Sequence, residues 1–229
     1  LRFLLNFAVL APSTHNSQPW RFRVHENCIE IVAEVSGALA VSDPVHRQLF
    51  LSLGTALENL LIAADYFGFE SDVDYAYADG AARVTFRKGK ERTSAEGHLI
   101  FSIPRRSTNR NPYQPVLPYE TFLNEARENG DEDVRVDLVF DEARKNALTD
   151  IILHALDTAF DNTAFRSELA DFVRSNVTKR STGMPASGFG MPLLPSLFAS
   201  QGMRRLNVGR MMRKKQEKLF RNFTPVFGI

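Results

Sequence analysis

Ala11-Pro12-Ser13-Thr14-His15-Asn16-Ser17-Gln18-Pro19-Trp20-Arg21-Phe22 is the stretch on which the reading of this chain turns. Pro12 and Pro19 fix φ and push the residues before them out of the helical region. An apolar helix upstream must therefore stop at Pro12, and the chain must resume extended at Trp20. Between the prolines, Ser13, Thr14, Asn16, Ser17 and Gln18 are offered on a stiff backbone. Two readings are open for such a loop: its hydroxyls and amides satisfy their own main chain, or they face a ligand.

Outward from the loop, residues 1–10 predict an amphipathic helix, and residues 20–26 and 28–35 a hairpin. Asp43 can cap the next helix and Pro44 suits its first position. Over 44–67, Val45, Leu49, Phe50, Leu53, Ala56, Leu57, Leu60, Leu61, Ala64 and Phe67 form a wide apolar face, which predicts a core helix. Gly54 inside it costs about 1 kcal/mol relative to alanine, which is explained if another backbone or helix approaches closely there. Residues 71–78 and 81–87 alternate around Asp79-Gly80, a two-residue hairpin signal. A short segment over 95–103 leads into Ile103-Pro104-Arg105-Arg106-Ser107-Thr108-Asn109-Arg110-Asn111-Pro112-Tyr113. Beyond it come a helix over 118–129 ended by Gly130, a strand over 134–140 and helices over 142–160, 163–175 and 204–221.

Residues 178–202 are rich in Gly, Pro, Ser and Met and long for a structureless connection. Met184, Phe189, Met191, Leu193, Leu194, Leu197 and Phe198 make them too apolar for a free linker. The segment is read either as a lid over a site or as packing against the body.

Pro12, Ser13, Asn16, Gln18, Pro19 and Trp20 match a Pro-Ser-x-x-Asn-x-Gln-Pro-Trp loop, and in this the chain resembles the nitroreductase family of FMN-dependent oxidoreductases. In that family the loop lies against the flavin across a dimer interface. A second likeness runs over 43–68, with Asp43-Pro44, Ser52-Leu53-Gly54-Thr55-Ala56-Leu57-Glu58-Asn59-Leu60 and Gly68. The third is 103–113, similar to the Arg-Arg-Ser-x-Arg segment that opens family chains and holds the flavin phosphate and pyrimidine edge. Guanidinium forks and a hydroxyl complement a phosphate and a ring whose N1 and O2 become electron-rich on reduction. Thr108 and Asn109 both stand between Ser107 and Arg110, where the common form has one residue. Which arginine meets the phosphate is therefore left open, and an isolated arginine pair in a polar stretch also reads as a solvated surface.

In this chain the loop precedes the arginine segment, the reverse of the usual order. That resembles the Acg-like branch of the superfamily, in which two family-like halves fused in one chain imitate the homodimer. The resemblance implies an α+β nitroreductase-like fold, with central antiparallel and mixed sheets flanked by long core helices and halves at 1–103 and 104–229. It implies one FMN held by Pro12, Ser13, Thr14, Asn16, Gln18, Arg105, Arg106, Ser107 and Arg110. No residue is assigned as catalytic, because the flavin carries the chemistry. The implied reaction is two-electron transfer from NAD(P)H to a nitro compound, quinone or similar acceptor, by a monomer acting as an internal pseudo-dimer or by a homodimer. The alternative is a flavin-binding or flavin-storage protein without turnover.

Composition adds boundaries. The 229 residues are 44% hydrophobic and 24% charged, enough to bury a sizeable core in one large or two small domains. A net charge of +1 does not point to nucleic acid, although Glu217 alone opposes eight basic residues between Arg204 and Arg221. The basic helix is read as a solvated face, with nucleic-acid or lipid contact the less favoured alternative. The single cysteine, Cys28, excludes an internal disulfide and fits a reducing cytoplasm. No run of about eighteen apolar residues and no leader is visible, so no membrane partner is expected. The chain opens without methionine and closes on Pro225-Val226-Phe227-Gly228-Ile229, read as a strand opening without a partner, so both ends are expected to be trimmed. His15, His25, His46, His98 and His154 form no HExxH, and CxxC, GxGxxG, GxxxxGK[ST] and GxSxG are absent. Metal sites, Rossmann and P-loop sites and the hydrolase elbow are not indicated.

Overall fold

Pro12 ends the first helical segment as its geometry requires: a 3-10 turn, Arg2–Leu4, runs into helix α1, Leu5–Ala8. The computed structural model describes residues 1–75, 82–89, 98–114, 116–128, 130 and 134–229. Along the chain follow strands β1, Trp20–Val24, and β2, Cys28–Ala33, helix α2, Arg47–Tyr66, and strands β3, Phe69–Asp74, and β4, Ala82–Lys88. Then come α3, His98–Ser102, α4, Glu120–Glu128, β5, Leu138–Val139, α5, Glu142–Asp161, and α6, Thr163–Phe172. The last elements are β6, Val173–Arg174, β7, Met184–Pro185, α7, Leu193–Ser196, α8, Ala199–Arg205, α9, Gly209–Phe223, and β8, Phe227–Gly228. The Asp79-Gly80 turn lies outside the described residues. The chain divides into two compact units, one of Leu1–Thr108 with Glu168–Ser200 and one of Asn109–Ser167 with Gln201–Ile229.

In the first unit, β1-β2-β4-β3 form an antiparallel sheet. Alternation sorts its two faces. Ile29, Ile31, Ala82, Val84 and Phe86 join the core with Leu49, Leu53, Ala56, Leu57, Leu60, Ala63 and Ala64 of α2. On the other face, Arg23, Glu30, Arg83 and Asp74 pair in one row across all four strands, with signs alternating. Glu30 is buried there, with Arg83 Nη2 at 2.8 Å, His25 Nε2 at 3.2 Å and Arg23 Nη1 at 3.7 Å.

Helix α2 departs from its expected start. His46 holds a left-handed backbone, φ 59°, so Pro44 and Val45 precede the helix, and Asp43 caps it from outside by accepting from Leu49 N at 2.8 Å. Val45 is therefore exposed, and Phe50 and Phe67 also stand out of the core. A Cβ on Gly54 would meet no atom within 4 Å. No close approach to Gly54 occurs among the described residues. At 20 residues, α2 is long and apolar enough to cross a membrane by length and composition. Its buried inner face is also what the core helix of a globular protein presents.

In the second unit α5 packs against α9. Arg221 donates to Asn146 Oδ1 at 2.8 Å and pairs with Asp150 at 2.5 Å, and that hydrogen bond raises its guanidinium above the ordinary value. Lys145 is buried and donates to Thr224 O at 3.2 Å. Three expectations are corrected. The terminal strand has a partner, since β8 pairs antiparallel with β5, to which the strand expected over 134–140 contracts. The helix expected over 204–221 breaks between α8 and α9, because Asn207 caps the new start through Gly209 N at 2.9 Å. Gly209 also lies so close to Phe160 that a Cβ would stand 2.7 Å from the Phe160 Cβ. The helix expected over 163–175 ends at Phe172, and Val173–Arg174 pair with Met184–Pro185 as parallel strands.

Glu30→Ala would remove the carboxylate that Arg23 and Arg83 share on the sheet face. Because those partners are partly solvated, the cost should be about 3 kcal/mol, the low end for breaking a buried ion pair. Chemical denaturation of the variant checks it.

Candidate active-site loop

Among the described residues of the first unit, loop 12–18 carries the most constrained backbone. Ser13 is extended, φ −147° and ψ 155°. His15, Asn16 and Gln18 then take φ values of 55°, 53° and 52°. Left-handed backbone at non-glycine residues costs on the order of 1 kcal/mol or more each, and persists only where the surroundings enforce it. The enforcement is visible. Gln18 N donates to Ser13 Oγ at 2.9 Å, and Asn16 N donates to Ser13 O at 2.9 Å. Pro19 and Trp20 then enter the core, and Pro19 O accepts from Glu34 N at 3.0 Å.

Two further elements hold the loop from outside. Helix α2 supplies Gln48, Ser52 and Thr55. Thr14 Oγ1 donates to Gln48 Oε1 at 3.2 Å, Thr14 N to Ser52 Oγ at 3.4 Å, and Thr55 Oγ1 to Pro12 O at 2.8 Å. The second support is residues 181–183. Asn16 Nδ2 donates to Ser181 O and Gly183 O, both at 2.9 Å, and Gln18 Nε2 donates to Ser181 O at 2.8 Å. Gly183 N returns a bond to Asn16 O at 3.0 Å.

Residues 181–183 have their own footing. Gly183 has φ 89°, and a Cβ there would stand 2.6 Å from Phe172 O and 2.8 Å from Arg174 Nε. No side chain fits. Arg174 Nε donates to Thr182 O at 3.3 Å, and burial, followed by the positive charge of Arg180, pushes its guanidinium below the ordinary value. Elsewhere in this unit Glu168 accepts from Val41 N at 2.7 Å and Ser42 N at 2.9 Å, which ties α6 to the chain leading into α2.

The expected site residues thus fall into two groups. Pro12, Ser13, Thr14, Asn16 and Gln18 are brought together, half-buried, on one braced loop. Arg105, Arg106 and Ser107 belong to the same unit and are exposed, Arg105 as the last residue of the 3-10 turn Ile103–Arg105, whose Ile103 is buried, and Arg106 and Ser107 after it. Arg106 N donates to Ser102 O at 2.9 Å, and its guanidinium reaches Thr108 Oγ1 at 3.5 Å. Neither bond reaches the loop. Arg110 lies in the second unit, between Asn109 and Asn111, whose N donates to Asn109 Oδ1 at 3.0 Å. The sequence pattern gives Ser52 and Thr55 only as part of the likeness over 43–68 and does not single out Gln48, Arg174 or Gly183. The pointers to these three are a polar residue on an otherwise apolar helix and the Gly and Met content of 178–202.

No protein-family model matches the chain. Curated proteins similar to it are found in Mycobacterium tuberculosis. "Putative NAD(P)H nitroreductase Rv3131" is 34% identical over 133 residues, covering 56% of this chain and 38% of that protein. "Uncharacterized protein Rv3127" is 27% identical over 146 residues, covering 60% and 42%. "Putative NAD(P)H nitroreductase acg" is 25% identical over 151 residues, covering 63% and 45%. The matched segments span less than half the length of these relatives. The names of the first and third bear out the resemblance to the nitroreductase superfamily and to its Acg-like branch.

Asn16→Ala and Gln18→Ala should each loosen residues 181–183. An intramolecular hydrogen bond contributes about 1 kcal/mol, so limited trypsin cleavage after Arg180 should quicken about five- to tenfold. The rate of appearance of the cut chain measures it.

Proposed function

We propose that this chain, a relative of the Acg-like branch of the nitroreductase superfamily, is the flavin-binding part of an FMN-dependent oxidoreductase. The observation that carries the reading is the loop 12–18, whose strained backbone is braced on two sides while its polar groups stay half-open to solvent. Stored strain of this kind gathers at ligand sites.

The residues present fit FMN by their chemistry. Arg105, Arg106 and Arg110 are exposed cations suited to a phosphate, with the Ser107 hydroxyl beside them. On the loop, the amide nitrogens of Asn16 and Gln18 are engaged by carbonyls, which orients their amide oxygens. Ser13 and Thr14 add hydroxyls. Two halves of the sequence, 1–103 and 104–229, would contribute the loop and the arginine segment, so that one chain completes one site. Bound FMN would supply two-electron chemistry between reduced nicotinamide and a nitro compound, quinone or similar acceptor. The protein would bind and orient the flavin, and bracing of the loop would keep that geometry from relaxing.

A second reading is a flavin-holding protein without turnover. It is favoured by residues 181–183, which are fastened onto the same loop by four hydrogen bonds and would restrict access to it.

FMN titrated into the purified chain, followed by anaerobic addition of NADH or NADPH and then a nitroaromatic, separates the readings. Bleaching of the flavin band and its return on reoxidation are expected for the oxidoreductase. Bound FMN that neither donor reduces would leave the holding role, and absence of FMN binding contradicts both. Arg106→Ala and Arg110→Ala should each weaken FMN about ten- to hundredfold, as loss of a charge-assisted hydrogen bond worth roughly 1.5–3 kcal/mol implies. Fluorescence titration reads the dissociation constants.

A further inference from the structure

In the second unit, a cleft of about 600 Å³ opens between the end of α5 and the start of α9. Asp157, Phe160 and Asp161 line it from α5, and Asn207, Arg210 and Arg213 from the other side. Clefts that take small molecules run to about 300–1,000 Å³. The helices close on one another at its base, where a Cβ on Gly209 would stand 2.7 Å from the Phe160 Cβ.

The charges in this cleft oppose the helices that carry them. Asp161 is the last residue of α5, where backbone carbonyls already concentrate negative charge. Arg210 lies in the first turn of α9, at the positive end, and that turn holds no acidic residue. Neither residue is needed to finish its helix. Asn207 Oδ1 accepts from Gly209 N at 2.9 Å and caps α9, while Arg166 Nη1 donates to Phe160 O at 2.5 Å and to Asp161 O at 3.3 Å and caps α5.

Pairing accounts for part of the lining and leaves a remainder. Arg213 pairs with Asp157 at 2.5 Å, and Asp161 Oδ1 accepts from Asn207 Nδ2 at 3.0 Å. Among the described residues, Arg210 and the second oxygen of Asp161 have no partner. Arg166, bonded to the same wall, is only 8% exposed, and its Nε has no hydrogen-bond partner. Arg210 and this buried cation attract an anionic group. The free carboxylate oxygen of Asp161 repels a plain anion, unless the ligand also brings a cationic donor for it.

We propose that the cleft binds a small zwitterion of the amino-acid class, its carboxylate on Arg210, its ammonium on Asp161 and its hydrocarbon part over Phe160. The site lies wholly within the second unit and does not depend on the flavin reading.

NMR titration of the isotope-labelled 229-residue chain with L-leucine, 6-aminohexanoate, hexanoate and hexylamine is the test. The first two bring both charges at short and long separation, and the last two bring one charge each. At least one zwitterion should shift the amides of residues 157–161 and 207–213, and bind tenfold or more tighter than hexanoate and hexylamine. Arg210→Ala and Asp161→Asn should each weaken it tenfold or more. Arg210→Ala should leave the thermal melt unchanged or raised, because it removes a cation from the positive end of α9. Asp161→Asn keeps an amide oxygen for Asn207. Amides in these stretches that move with none of the four compounds overturn the proposal. So does a singly charged compound that binds as tightly as the zwitterions, or binding indifferent to both substitutions.

Discussion

Three left-handed residues within four positions, His15, Asn16 and Gln18, set the terms for the first unit. None is a glycine, so each conformation must be enforced by contacts. Ser13 enforces it from within the loop, α2 from one side and residues 181–183 from another. The consequences spread outward. Gly183 must itself be left-handed and bare of a side chain to come within reach of Asn16, and Arg174 must turn inward beneath it. A loop secured in this way cannot rearrange cheaply, which is the property a cofactor platform needs.

Helix α2 is the scaffold common to most of this. Its inner face buries leucines and alanines against the sheet, and its first half presents Gln48, Ser52 and Thr55 to the loop. One helix therefore couples core packing to the placement of the polar residues.

Much of this was legible from residue patterns, and the limits have physical causes. Proline chemistry located the loop, strand alternation located the β1–β2 and β3–β4 pairs, and apolar periodicity located α2 and α5. The start of α2 differs from the sequence expectation because Pro44 favours a first helical turn, whereas His46 takes a left-handed backbone that delays the helix to Arg47. The break at residues 206–208 escaped notice because an amphipathic pattern runs through it. There the Asn207 cap is local, but the closeness of Gly209 to Phe160 is tertiary. The pairing of the terminal strand is equally non-local: Phe227 and Gly228 of β8 close onto Val139 and Leu138 of β5, far earlier in the chain and visible only as part of an alternating stretch. For the candidate site, residue types announced the loop and the arginine segment, but nothing local announced that Asn16 and Gln18 hold residues 181–183, across separations of 165 and 163 positions to Ser181.

The central claim is that the braced loop is a flavin platform. Hydrogen–deuterium exchange of the chain with and without FMN addresses it most directly. The account predicts added protection over residues 12–20 and over 103–113, with α5 and α9 unchanged. FMN-independent exchange over residues 12–20, at FMN concentrations that saturate any binding, would contradict it.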